Sequence, residues 1–117
     1  MIPSESTLSA AELAEKQLKA YNTRNIEAFL ACYSAEVEVY EFPITLTYVG
    51  IEKMRERYTK LFNEVKNLNC EILNRTVLGN YAIDQEKVSG FEDGIIKTVC
   101  AIYYTENNQI TKVWFIR

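Results

Sequence analysis

The sequence predicts an α+β fold, a cone-shaped, curved antiparallel sheet covered by three helices from the N-terminal half. Two observations carry this. Apolar residues recur at the helical interval up to about residue 65, after which the chain turns to segments rich in Ile, Val, Tyr and Thr. Short connections bearing Gly or Asn separate those later segments, as expected of an antiparallel meander. Helices with single apolar faces must then bury them against one side of the sheet. With 117 residues, 48% apolar and 25% charged, the chain has the size and composition of one domain, expected to span residues 1–117.

The elements follow in order. Ser9-Ala10-Ala11-Glu12 has the capping-box pattern, and Leu13, Ala14, Leu18 and Tyr21 share one face of a helix running to about Tyr21. Asn25 is placed to cap a second, short helix in which Ile26, Phe29, Leu30 and Tyr33 recur at the helical interval, ending near Ser34. Residues 37–42 alternate as a strand and stop at Pro43, which supplies no ladder donor. A third helix starts at Gly50 and puts Met54, Tyr58, Leu61, Phe62 and Val65 on one face. Four strands are expected near 69–78, 80–89, 95–105 and 109–117, separated by Gly79-Asn80, Glu92-Asp93-Gly94 and Asn107-Asn108.

Composition removes several function classes. Thirteen basic and sixteen acidic residues give a net charge of −3, so a nucleic-acid backbone meets no summed attraction and is not an expected partner. No apolar run approaches the roughly 20 residues needed to cross a bilayer, and residues 1–5 show no secretory pattern, so a cytoplasmic protein is expected. Cys32, Cys70 and Cys100 lack Cys-x-x-Cys spacing and read as reduced, buried thiols. The absence of histidine excludes Ser-His-Asp triads, Cys-His dyads and His-ligated metals. The four glycines match no nucleotide-binding loop, and neither metal nor cofactor is expected.

Residues 20–29, Tyr33, the strand ending at Pro43, residues 50–58 and the closing strand 110–116 together resemble the nuclear-transport-factor-2-like (cystatin-like) superfamily. The likeness is nearest to its SnoaL-like and ketosteroid (steroid delta) isomerase branch. That resemblance implies a carboxylate base at the end of the first strand and an oxyanion hole built from a tyrosine and a protonated aspartic acid. Ungapped placement puts the base on Glu41, whereas anchoring on the proline puts it on Phe42; strand parity groups Glu41 with Val37 and Val39 on the buried face and favours Glu41. The two oxyanion positions fall on Gln17 and Cys100, so both strong donors are missing. Loss of one such donor costs about two to three orders of magnitude, which argues against steroid isomerisation by that route.

Each candidate carries two readings. Glu41 is either a desolvated base in an enclosed cavity or a strand-end glutamate that is exposed or paired with arginine. Gln17, within the apolar stripe of the first helix, bonds either a ligand or a strand end. Tyr33 and Tyr58 are pocket residues or core tyrosines with satisfied hydroxyls. If the resemblance holds, Gln85 and Cys100 fall on the pocket-facing register as an orienting amide and a small liner, leaving Asp84 and Glu86 on the opposite face, where they and Arg75 read as surface or interface charges. Trp114 and Tyr103 belong to a dimer face or to the core, and the resemblance implies homodimers packed sheet to sheet. The expected function is binding of a compact, largely apolar small molecule, with cofactor-free isomerisation, dehydration or cyclisation if the protein is an enzyme. The alternative is a non-catalytic ligand-binding or dimerisation module.

Overall fold

The structure is a computed structural model and describes residues 8–117, so the expectation that residues 1–5 lack a leader lies outside the described residues. The elements run α1 (Ala10–Asn22), α2 (Ile26–Leu30), β1 (Tyr33–Glu41), β2 (Thr45–Val49), α3 (Ile51–Glu64), β3 (Asn69–Leu78), β4 (Tyr81–Ser89), β5 (Lys97–Glu106) and β6 (Gln109–Ile116). Ser9 and Glu12 cap each other's backbone N–H at the start of α1, and the Asn25 side chain accepts from the N–H of Ala28 at the start of α2. Both caps follow the sequence pattern. The expected α+β architecture is present, a curved six-stranded sheet with helices against one face.

Three features depart from expectation. The chain turns at a cis Phe42–Pro43 bond and returns as β2, a strand absent from the sequence reading. It is a five-residue strand at the sheet edge with every residue but Tyr48 exposed. The α2 helix stops at Leu30 and β1 begins at Tyr33, which makes Tyr33 a strand residue. The sheet order is β2-β1-β6-β5-β4-β3, in which β1 and β6 run parallel and all other neighbours antiparallel, so the sheet is mixed.

Alternation sets what each strand offers the helices. On β4 the buried residues are Ala82, Asp84, Glu86 and Val88; on β5 they are Val99, Ala101, Tyr103 and Thr105. α1 packs across β3 to β6, while α3 covers β1 and β2. Between them Tyr21, Phe29, Tyr58 and Phe62 form an aromatic cluster of edge-on and tilted pairs, with ring centroids 4.6–6.4 Å apart. The Asn22 side chain bonds both backbone groups of Cys70, at 2.7 and 3.0 Å, fixing the end of α1 to β3. Among the described residues no helix is long and apolar enough to cross a membrane.

Gly90, after β4, has φ +103°, and a Cβ there would stand 2.0 Å from the Asn67 carbonyl oxygen. Gly79, in the β3–β4 turn, also has a positive φ of +58° but open space where a Cβ would go. Gly90→Ala therefore combines strain with a backbone clash and should cost about 2 kcal/mol or more, whereas Gly79→Ala should cost about 1 kcal/mol. Urea denaturation of the two variants checks this; equal losses would contradict the close approach at Gly90.

Candidate functional site

Because α1 and α3 cover different strands of a curved sheet, they leave between them a cavity of about 470 Å³. That is within the range of small-molecule sites. Its walls include Leu18, Phe29, Val39, Leu61, Val88, Val99 and Phe115. The polar side chains divide by depth. Gln17, Tyr33, Glu86 and Tyr103 are buried and define the inner end, while Thr47, Arg57, Lys60, Lys97 and Arg117 are exposed and define the mouth.

Glu86 is the feature the sequence reading missed. Asp84 and Glu86 were expected outside; instead their β4 parity turns both inward, with relative exposures of 0% and 7%. Gln85, between them, points out and is exposed. The Leu73 bulge in β3 restores Arg75 to the inward face, where its Nε and Nη2 bond the two Asp84 oxygens at 2.6 and 2.9 Å and Nη1 reaches Glu15 on α1 at 3.0 Å. Asp84 is thereby paired, and among the described residues Glu86 has no cationic partner. The hydroxyl of Tyr103 donates to Glu86 at 3.3 Å. Desolvation first, and the neighbouring Asp84 charge second, push the Glu86 carboxyl up to about 7, against lowering by Tyr103, the Cys70 thiol and Arg75. Alternation alone signals an inward carboxylate pair once the face of Val88 is known.

Gln17 occupies the inner end but is engaged by the protein: its amide nitrogen donates to the Ala14 carbonyl at 3.1 Å, and its oxygen accepts from the Tyr33 hydroxyl at 3.0 Å. Tyr33 packs on Phe29 with centroids 5.0 Å apart. Tyr21, Tyr48 and Tyr58 also line the cavity, and among the described residues no hydrogen bond uses their hydroxyls. Burial raises the phenols of Tyr21, Tyr33, Tyr48 and Tyr103, and pushes Tyr58 up to about 12, so all remain neutral donors near pH 7. Burial likewise raises the Cys70 thiol, which stays protonated rather than nucleophilic.

Glu41 lines the cavity on the face of Val39, as parity requires, but at the mouth. Its carboxylate accepts from the Arg117 Nε at 3.0 and 3.2 Å and its side chain is 40% exposed, so of its two readings the structure shows the strand-end glutamate paired with arginine and not the desolvated base. Phe42 is 53% exposed and lies outside the cavity lining. Gln85 and Cys100 are corrected as well. They face each other across β4 and β5 on the convex side of the sheet, because the inward residues are the even ones on β4 and the odd ones on β5. Tyr103 belongs to the core, and Trp114 lies on the convex side, stacked on Tyr40 at 5.7 Å. The three thiols are free, with Cys32 and Cys70 buried and Cys100 half-buried. Among the described residues no group of three Cys, Asp or Glu is placed to hold a metal.

The arrangement combines a carboxyl that burial pushes up to about 7, neutral phenol donors and a cavity with apolar walls. Those are elements of proton transfer on a bound molecule. Among curated proteins no sequence matches. Solved structures with the same fold include an uncharacterized cystatin-fold protein from Novosphingobium aromaticivorans, with a TM-score of 0.85 and 22% identity over 94% of this chain and 99% of that one. An NTF2-like protein of unknown function from Cytophaga hutchinsonii gives a TM-score of 0.77 and 16% identity over 95% and 91% of the two chains. A putative polyketide cyclase from Sinorhizobium meliloti gives 0.76 and 16% over 97% and 99%. The model of the SnoaL-like domain matches residues 14–113, and the chain belongs to that family.

Proposed function

We propose that the protein binds a compact, largely apolar carbonyl compound in this cavity and catalyses cofactor-free proton transfer next to the carbonyl, with Glu86 as the base. The observation that carries this is the unpaired Glu86 carboxylate, held by Tyr103 at the buried end of an apolar chamber. Glu86 takes the α-proton, the electron pair moves onto the carbonyl oxygen, and the Tyr58 hydroxyl donates a hydrogen bond to that oxygen as its charge grows. Glu86 then returns the proton to carbon, so no oxidant or reductant is consumed. Glu41, held by Arg117, serves the mouth. The likeness to a putative polyketide cyclase is compatible with such chemistry but lies below the identity at which activity transfers.

The reading is tested by α-proton exchange into deuterated water, followed by NMR on 2-tetralone and a Δ5-3-ketosteroid. Exchange should rise with pH through about 7 as Glu86 ionises among Asp84, Arg75, Cys70, Tyr103, Tyr33, Tyr58 and Tyr21. Glu86→Gln should lower it by about 100-fold or more, and Glu41→Gln should leave most of it. No catalysed exchange by the wild type would leave a non-catalytic binding module, and full exchange in Glu86→Gln would remove Glu86 as the base. The reading as a binding module has one observation in its favour, the engagement of Gln17 and Tyr33 with each other.

Linkage gives an independent readout. A carboxyl that binds its proton more tightly folded than unfolded adds stability at low pH, and that stability is lost as pH rises from about 4.5 through about 7. The wild type should lose about 3 kcal/mol across that window through this group. Glu86→Gln should flatten the loss and be the more stable protein at pH 8. A wild-type profile indistinguishable from that of the variant would place the Glu86 carboxylate in water.

A homodimer packed through the convex sheet face is part of the proposal. That face carries Tyr40, Tyr81, Ile83, Cys100, Ile102, Trp114 and Ile116, with Tyr81 and Trp114 rings 6.4 Å apart. Sedimentation should give a dimer at micromolar concentration and a monomer for Trp114→Glu; a wild-type monomer would contradict the assembly.

A further inference from the structure

The mouth of the cavity has the opposite sign from the chain. The protein carries a net charge of −3, yet four cationic side chains, Arg57, Lys60, Lys97 and Arg117, line the cavity against two carboxylates, Glu41 and Glu86. Arg117 is spoken for by Glu41. Among the described residues no ion pair involves Arg57, Lys60 or Lys97. The acids nearest them in sequence, Glu56, Glu64, Glu92 and Asp93, do not line the cavity.

Their placement follows from the fold. Arg57 and Lys60 project from α3, while Lys97 opens β5 and Arg117 follows β6 on the strand parity that faces inward. Three of the heads rest on cavity rings: the Arg57 guanidinium lies 4.8 Å from the Tyr48 centroid, the Lys97 ammonium 4.3 Å from Phe91, and the Arg117 guanidinium 4.7 Å from Phe115. A ring face positions a cation without neutralising it. Positive groups held at the mouth of a low-dielectric cleft focus their field along its axis.

We infer that the molecule taken up is an anionic amphiphile, an apolar body of small-molecule size that enters the chamber and a carboxylate or chemically similar anion that stays at the mouth beside Arg57, Lys60 and Lys97. This rests on the proposed function and deepens it: the anion at the mouth orients the body so that its carbonyl reaches Tyr58 and Glu86. An uncharged ketone of the same shape would enter without that orientation and bind more weakly.

Calorimetric titration of matched pairs tests it, using 2-naphthylacetic acid, 4-phenylbutyric acid and dodecanoic acid, each beside its primary amide. At low ionic strength the acids should bind about tenfold or more tightly than the amides, and the difference should shrink in about 0.3 M salt. In Arg57→Gln/Lys60→Gln/Lys97→Gln the preference should vanish while the amides bind as before. Lys19→Gln, a charge removed from the exposed face of α1, should keep it. Acids and amides binding alike, or a preference that survives the triple substitution, would overturn the inference. If that occurs with Glu86-dependent proton exchange intact, the proposed function stands alone. If neither acids nor amides bind, the inference falls, and the proposed function falls with it only where Glu86-dependent proton exchange is absent as well.

Discussion

Two buried carboxylates on β4 and the guanidinium of Arg75 determine the character of the inner end of the cavity. Asp84 and Glu86 sit two residues apart on β4, so strand geometry gives them the same side, and both are enclosed once α1 closes over β3 to β6. Arg75 satisfies Asp84 through two hydrogen bonds and extends to Glu15 on the helix above. Among the described residues the second carboxylate receives only the Tyr103 hydroxyl and the Cys70 thiol, and no cation bonds it. An unpaired buried charge is costly, so the group holds its proton to near neutrality. Apolar walls alone would make a container; this carboxyl makes the container reactive.

The rest of the interior follows from where polar groups find partners. Gln17 and Tyr33 close on each other and stiffen the junction between α1 and β1. Tyr58 and Tyr21 are held by the aromatic cluster with Phe29 and Phe62, which positions their rings without using their hydroxyls. At the opening, Arg57 and Lys97 rest on aromatic faces and, among the described residues, make no ion pair. The cavity is therefore graded from a proton-exchanging end, through apolar walls, to a positive rim.

Much of the architecture was legible in the sequence because it rests on local signals. Ser9 and Glu12 cap α1, Asn25 caps α2, and Asn107 and Asn108, at φ 51° and 65°, make the turn their identity suggests. β2 was missed because it is only five residues long, lies at the sheet edge and buries little beyond Tyr48. The candidate site was less legible than the fold, and for one reason. Ungapped placement carried a register onto β4 and β5 that is off by one, which turned Gln85 and Cys100 inward on paper and Asp84 and Glu86 outward, and a shift of one residue inverts every side chain of a strand. Glu41, judged by the parity of its own strand, was placed on the correct face, but the distant Arg117 that pairs with it could not be read from a sequence separation of that length.

The most direct measurement is the titration of the Glu86 side-chain carboxyl, followed by carbon NMR on protein labelled at glutamate and assigned with Glu86→Gln. A midpoint near 7 is the predicted result. A midpoint at the ordinary glutamate value of about 4.5 would mean that water or a cation reaches the group, and the chamber would then have no proton acceptor suited to neutral pH.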